Sequence, residues 1–368
     1  MEKIVFGITS LQFGGAERVL VDIINKLYNE FEIEVFTIYP KGELEEQLNY
    51  SIKVNSLCNK KYEELSKFQK LLLSVKLLVF KKRIYNKEIK NKYDVEIAFL
   101  EGPITRLFAC QNRDVKKIAW IHNDITKVYG NGIKASMKKK ADKKAYEAYD
   151  KLVFVSRDNK AKFEDTYNLD NDKFVIYNYI DIDKVIAKSN ENINLPFKND
   201  EFNIVSVARL VDQKAIDRLI RVHTKLINDG LNHKIYIIGD GPNKENLLEL
   251  IKDKQVEDTF ILLGQTDNPY PYIKNADCFA LLSRYEGYPM VLLEAQILEK
   301  FIVITNTSAR ETLENYKNRM IVDNDEEAIY VGLSKLLKNK EEYTKTDYNT
   351  QNYNNLDILE QIKKIIKE

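Results

Sequence analysis

Short apolar runs rich in β-branched residues alternate along this chain with longer amphipathic stretches, and that alternation restricts the fold more than any other feature. The runs in the first half are IVFGITS (4–10), EIEVFTIY (32–39), IKVNSL (52–57), VEIAFL (95–100), KIAWIH (117–122), LVFVS (152–156) and FVIYN (174–178). The second half repeats the rhythm with FNIVSVA (202–208), KIYIIGD (234–240), FILLG (260–264), CFALLS (278–283), FIVITN (301–306) and MIVD (320–323). These runs are near-continuously apolar, the pattern of parallel strands covered on both faces. Between them lie stretches with helical spacing, such as AERVLVDIINKLYNE and KENLLELIKDK. Strand–helix alternation of this kind predicts an α/β protein built on parallel sheets.

At 368 residues the chain is long for one core and suits two domains, and 44% hydrophobic content supplies the material. Each series predicts a doubly wound domain, with a cleft between the two sheets. The least structured stretch, 179–201, is polar, carries Pro196, and reads as a hinge between a domain at 1–178 and one at 202–345. The tail, 352–368, reads as a final amphipathic helix.

Lys and Arg number 57 against 56 Asp and Glu, a net charge of +1, so no global electrostatic case for nucleic acid arises. Cys58, Cys110 and Cys278 are far apart, with neither CxxC nor metal-ligand spacing, which fits a reducing cytosol. MEKIVFGITS reads as a strand and not as a secretory signal. The strongest apolar run, LLLSVKLLVF (71–80), is too short to span a bilayer and is interrupted by Lys76.

Ligands of open α/β sheets bind at the carboxyl ends of the strands, so the residues after each run are the functional candidates. Gly14 and Gly15 follow the first run and open a helix, where free N–H groups suit a phosphate; an ordinary βα turn would look the same. His122 ends KIAWIH and either faces the cleft or is a loop histidine without a role. Arg209 and Lys214 lie five residues apart after FNIVSVA and either clamp a diphosphate or are solvated. Gly241-Pro242 reads as turn geometry. In SRYEGYPMVLLEAQ (283–296), Glu286 stands in a loop and Glu294 in the helix that Pro289 starts, amid apolar neighbours. Carboxylates in such places suit hydrogen bonds from sugar or ribose hydroxyls.

GGAERVL, VFVSRDNKAKF, VIYNYID, ARLVDQKAIDRLI, GDGP and SRYEGYPMVLLEA occur in this order. Together they resemble the retaining glycosyltransferases of family 4, over approximately residues 1–325, and the paired-glutamate segment is the most specific part. The resemblance implies the GT-B fold, two Rossmann-like domains facing a cleft, with the last helix crossing back to the first domain. It implies that Arg209 and Lys214 contact the donor phosphates and that Glu294 binds the nucleotide ribose. Glu286 then lies near the donor sugar, with backbone N–H groups around Gly287, Tyr288, Pro289 and Met290. Gly14 and Gly15 approach the diphosphate from the first domain, and His122 stands near donor sugar and acceptor. No metal or cofactor is expected: cations and N–H groups stabilise the leaving diphosphate. Asp181-Ile182-Asp183 imitates a D-x-D metal motif but falls in the hinge segment. Where the family has a Gly-Lys-Pro-like turn and a glycine-rich loop, this chain has Glu299-Lys300-Phe301 and TNTSARETL, which puts that loop's conformation in doubt.

The expected activity is transfer of a sugar from a nucleotide-diphosphate sugar, UDP-sugars first among them, to a glycan acceptor carried on a lipid diphosphate, in surface polysaccharide assembly. A nucleotide-sugar epimerase of the same fold and a non-catalytic two-domain sugar or nucleotide binder are the alternatives. A hydrolase would use Glu286 and Glu294 but leave Arg209, Lys214 and the glycines idle. Two basic stretches, 60–93 and 134–151, either pack their apolar side chains on the sheet with solvated lysines or dock on an anionic cytoplasmic leaflet.

Overall fold

The computed structural model describes residues 1–90, 92–110, 114–128, 132–198, 201–343 and 355–368. The chain divides into two compact units, Met1–Ile180 with Asn354–Glu368, and Asp181–Tyr353. In chain order the first unit contains β1 (Lys3–Ile8), α1 (Gly15–Leu27), β2 (Glu32–Thr37), β3 (Lys53–Ser56), α2 (Lys67–Val79), α3 (Lys81–Glu88), β4 (Val95–Ala98) and α4 (Pro103–Phe108). It continues with β5 (Lys116–Ile121), α5 (Ile125–Val128), α6 (Ile133–Tyr146), β6 (Lys151–Phe154), α7 (Arg157–Thr166) and β7 (Asp172–Val175). The second unit runs through α8 (Ile182–Ser189), β8 (Asn203–Val207), α9 (Ile216–Asn228), β9 (Lys234–Ile238), α10 (Lys244–Asp253), β10 (Phe260–Gly264), α11 (Tyr270–Asn275) and β11 (Cys278–Leu281). Then come α12 (Met290–Ile297), β12 (Phe301–Thr305), β13 (Arg319–Val322), α13 (Glu326–Lys338) and α14 (Lys340–Tyr343), before α15 (Asn355–Lys367) rejoins the first unit.

Every apolar run read from the sequence contains or overlaps a strand. The first sheet has the order β3-β2-β1-β4-β5-β6-β7 and the second β10-β9-β8-β11-β12-β13. β1 pairs in parallel with β2 on one side and β4 on the other, with Ile4 opposite Ile33 and Val95. Ile4, Val5 and Phe6 are fully buried on successive positions, which is why β1 lacks the alternation of a half-exposed strand. β11 is buried throughout between β8 and β12 in the second sheet.

The chain order leaves each sheet at one point and resumes on its other side: between β1 and β4 in the first unit, between β8 and β11 in the second. In a parallel sheet the crevice beyond the carboxyl ends of such neighbours is the ordinary ligand site.

The stretch 179–201, expected as a hinge, is not irregular throughout. Asp181 accepts the Lys184 N–H at 3.1 Å and caps α8. Asn268 Nδ2 donates to the Lys188 carbonyl at 2.9 Å, tying α8 to the second unit. The spacing of Ile182, Val185 and Ile186 suits a helix and Asp181 suits its start, but the stretch was read only as a hinge. The D-x-D resemblance therefore falls on the N-cap and first turn of α8, with the Asp181 side chain engaged by backbone. Residues 91, 199–200, 344–345 and 352–354, which fall within the sequence-predicted basic stretch, hinge, second domain and tail, lie outside the described residues.

On α15, Ile358, Ile362, Ile365 and Ile366 are buried. Lys116 Nζ donates to the Ile366 carbonyl at 2.6 Å and Lys151 Nζ to that of Ile365 at 3.2 Å, so strand lysines satisfy the helix's last carbonyls.

Candidate functional site

The loops that flank the second switch point are those that leave β8 and β11. They carry Arg209 to Ala215 and Leu282 to Pro289. Arg209 is exposed. Lys214 Nζ donates to Glu286 Oε1 at 2.6 Å, and Ser283 Oγ donates to the same oxygen at 2.5 Å. Glu286 is only 6% exposed, so its carboxylate is compensated by one charge and one hydroxyl in place of water. The sequence placed Lys214 and Glu286 in one site without pairing them, and their contact spans 72 residues of chain.

The backbone holds this pair in place. Residues Asp212–Lys214 form one 3-10 turn, and Ala215 then adopts φ 54°, ψ 34° before α9 begins. That is left-handed backbone, disfavoured for a residue with a Cβ. Gly239 has φ 147°, and a Cβ there would lie 2.1 Å from the Ala208 carbonyl oxygen; at Gly241 it would lie 2.5 Å from that of Leu210. The glycines of GDGP thus let the β9 loop press against the one that bears Arg209.

Four consecutive carbonyls of the β11 loop each accept a side-chain hydrogen bond. Arg218 Nη2 donates to Leu282 at 2.8 Å, Thr305 Oγ1 to Ser283 at 2.6 Å, Asn324 Nδ2 to Arg284 at 2.7 Å and Gln213 Nε2 to Tyr285 at 3.0 Å. Arg284 N–H donates to the Gln213 carbonyl at 2.8 Å, and its guanidinium binds the Asp212 carbonyl and Asp217. The two loops are therefore stitched together on either side of the Lys214–Glu286 pair. Gln213, Arg218, Thr305 and Asn324 were not found from the sequence; their partners are backbone atoms of a distant loop, which leave no mark in spacing.

Pro289 caps α12 with no side-chain hydrogen bond to the first turn. Of Gly287, Tyr288, Pro289 and Met290, expected as N–H donors, Pro289 has no N–H and offers none. Tyr288 and Met290 are buried. Glu294, on the same helix, is 2% exposed, and Tyr270 Oη donates to its Oε1 at 3.1 Å. Glu299 at φ 56° takes the left-handed position after α12, and Lys300 N–H donates to the Ala295 carbonyl at 3.0 Å. The helix ends as a glycine would end it, although the glycine is missing. Residues Ser308–Leu313 of the next loop form a 3-10 helix capped by Thr307.

The first unit presents the other candidates at the carboxyl edge of its sheet. Gly14, at φ −163°, is the N-cap of α1 and Gly15 its first residue; both are exposed. His122 ends β5. Its ring hydrogen-bonds the Phe99 carbonyl, and its Nε2 is buried without a partner. A buried ring nitrogen of this kind is open to a hydrogen-bonding ligand. Burial pushes its pKa down to about 3, so the ring is neutral at ordinary pH. Glu101, after β4, was missed by the sequence reading. Its Oε1 accepts the N–H groups of His122 at 2.5 Å and Asn123 at 2.6 Å, fixing the turn that aims the ring. Burial nonetheless holds the Glu101 carboxyl above the usual carboxylate range.

Among the described residues no group of three or more His, Cys, Asp or Glu is arranged to hold a metal ion.

Residues 13–184 match the family described as Glycosyltransferase Family 4, and residues 188–353 match Glycosyl transferases group 1. The chain is 30% identical over 362 residues to the Campylobacter jejuni N-acetylgalactosamine-N,N'-diacetylbacillosaminyl-diphospho-undecaprenol 4-alpha-N-acetylgalactosaminyltransferase, covering 92% of this chain and 91% of that one.

The chain belongs to glycosyltransferase family 4.

Solved GT-B structures agree with the fold of this transferase. Sucrose-phosphate synthase from Thermosynechococcus elongatus matches with a TM-score of 0.81 at 15% identity, over 100% of this chain and 98% of that one. The Anabaena protein HepE, solved in complex with UDP and glucose, matches with a TM-score of 0.74 at 16% identity over 100% of both chains.

Proposed function

We propose that this glycosyltransferase moves a sugar from a nucleotide-diphosphate sugar to a glycan carried on a lipid diphosphate, with retention of anomeric configuration, in surface polysaccharide assembly. The observation that carries this reading is the part-buried Lys214–Glu286 pair at the switch point of the second sheet, beside an N-terminus of α12 that no side chain caps.

Breaking the sugar–phosphate bond leaves negative charge on the diphosphate. Lys214 and Arg209 are assigned to that charge, together with the N–H groups of Gly287, Tyr288 and Met290. A diphosphate competes with Glu286 for the Lys214 ammonium, which frees the carboxylate to accept sugar hydroxyls. Glu294 is assigned to the ribose. No metal is assigned a role. Glu286→Ala should then lower turnover more than nucleotide affinity, and Glu294→Ala the reverse. On the first unit, Gly14 and Gly15 are assigned to phosphate, and His122 Nε2 to a hydroxyl that donates to it. A ring with a pKa near 3 acts there as an acceptor and not as a proton reservoir.

The Campylobacter relative's acceptor is a diphospho-undecaprenol glycan and the Anabaena protein binds UDP, which makes lipid-diphosphate glycans and UDP-sugars the substrates to try first. Thermal stabilisation by UDP-, GDP- and ADP-sugars, with NAD as control, tests the donor on wild type and Lys214→Ala. One sugar nucleotide should shift the melt, and the shift should shrink in the variant relative to its own baseline. No shift with any sugar nucleotide, or a shift with NAD alone, overturns the reading. Product formation that requires no acceptor would indicate an epimerase, and inversion at the anomeric carbon would overturn retention.

A further inference from the structure

The helix α2 is as long as α1 at 13 residues, but it buries no residue, whereas α1 buries Val19, Leu20, Val21, Ile23, Ile24 and Leu27. It is nevertheless built to be a helix. Ser66 Oγ accepts the Gln69 N–H at 3.2 Å, and Gln69 Oε1 accepts the Ser66 N–H at 2.9 Å, a complete capping box. Only Leu73 and Leu77 turn towards the core of the first unit, where they pack in part. Phe68, Leu71, Leu72, Val75, Leu78 and Val79 are 46% to 67% exposed. At 100° per residue these six fall on one arc about 120° wide, directly opposite Leu73 and Leu77. The apolar face thus points straight away from the core of the first unit.

Its surroundings are basic. From Leu65 to Asn86 there is no acidic residue, while Lys67, Lys70, Lys76, Lys81, Lys82 and Arg83 are present. Lys67 and Lys76 flank the apolar arc on its two sides, Lys70 turns to the side of Leu73 and Leu77 with its ammonium 4.0 Å from the Tyr62 ring centre, and Lys81, Lys82 and Arg83 continue beyond Phe80. The other basic stretch is different. On α6, Ala135, Asp142, Ala145 and Tyr146 are buried, and Asp142 pairs with Arg106, so that helix is committed to the protein. On α3, Ile84 and Tyr85 are buried as well.

We infer that α2 is an interfacial anchor that lays its apolar arc into an anionic phospholipid surface. An exposed apolar face rimmed by lysines is the arrangement that lies in a headgroup layer: side chains enter the acyl boundary while the ammonium groups stay with the phosphates. About 20 Å of helix is available for this, and among the described residues no helix is long and apolar enough to cross a membrane. Charge selects lipid over a second copy of this chain, because joining two such faces brings two basic rims together. The inference stands apart from the donor reading, since lipid binding is measured without any transfer.

Flotation of the full chain with vesicles of phosphatidylcholine, alone or with a third phosphatidylglycerol, tests it. The wild type should float with the anionic vesicles only, and less as salt rises. The triple variant Leu71→Ser, Val75→Ser, Leu78→Ser should bind about tenfold more weakly or worse, with unchanged circular dichroism. Should that variant fail to fold, Lys67→Gln with Lys76→Gln, changed at the rim alone, should lose the preference for anionic lipid. Absence of wild-type flotation, or equal flotation of wild type and variants, would overturn the inference. So would a wild-type dimer that the triple variant turns into monomer while neither binds vesicles, which assigns the face to a second copy.

Discussion

Lys214 and Glu286 stabilise each other in the resting protein, and this makes their substitution informative beyond activity. Removing the lysine leaves a buried carboxylate whose one remaining side-chain partner among the described residues is Ser283. Lys214→Ala should cost about 2 kcal/mol of stability in urea melts, and the double variant with Glu286→Gln should recover most of it. Strictly additive losses would mean that the pair is not coupled in solution. The adjacent Ala215 stands at φ 54°. Ala215→Gly should raise stability by about 1 kcal/mol, because glycine relieves the left-handed strain by more than the entropy it adds to the unfolded chain. Glu299→Gly at φ 56° should act in the same direction, and a lower melting temperature in both would contradict the backbone reading.

Among the elements, α15 is held by its isoleucines and by the two strand lysines that meet its last carbonyls. Ile362 is fully buried, and Ile362→Ala should destabilise the first unit by about 3 kcal/mol. Limited proteolysis should then release the helix earlier than in wild type; equal protection would mean that it docks without its apolar stripe. The β11 loop depends on a different element. Thr305→Val removes the donor to the Ser283 carbonyl while keeping the side chain's volume. It should cost about 1–3 kcal/mol and loosen donor binding through the loop, not by a lost ligand contact.

For the molecule as a whole, all three histidines are buried and neutral. Burial pushes His122 and His223 down to about 3 and His233 to about 4. His223 bridges His233 at 2.9 Å and Thr259 at 2.9 Å, so each ring nitrogen in that chain is already engaged. The unfolded chain takes up these protons near pH 6.5, while the folded chain refuses them until far lower pH. Stability is therefore complete above about pH 6.5 and is lost as pH falls towards 4, by up to about 1.4 kcal/mol per pH unit for each ring. Glu101, held above the usual carboxylate range, works in the opposite direction. Urea midpoints should drop clearly between pH 7 and pH 5; equal midpoints would mean that the rings are hydrated in solution.

Both sheets were legible in the sequence, because buried parallel strands must be continuously apolar and β-branched, and so were the loops that carry Arg209, Lys214, Glu286 and His122, because parallel strands bring such loops to the carboxyl edge of their own sheet. The sequence did not reveal α8 as a helix in the expected hinge, although Asp181 and its apolar spacing were there to read. The pairing of groups far apart in the chain came only with the fold. Lys214 meets Glu286, Glu101 holds the turn of His122, and four side chains grip the carbonyls of residues 282–285, each through an atom whose partner the chain brings near only on folding. The fold also decided which apolar residues stay outside. The leucines of α2 look like core residues in the sequence. They are exposed because Leu73 and Leu77 already fill the narrow stripe of that helix which meets the first unit, and a helix has only one side to offer.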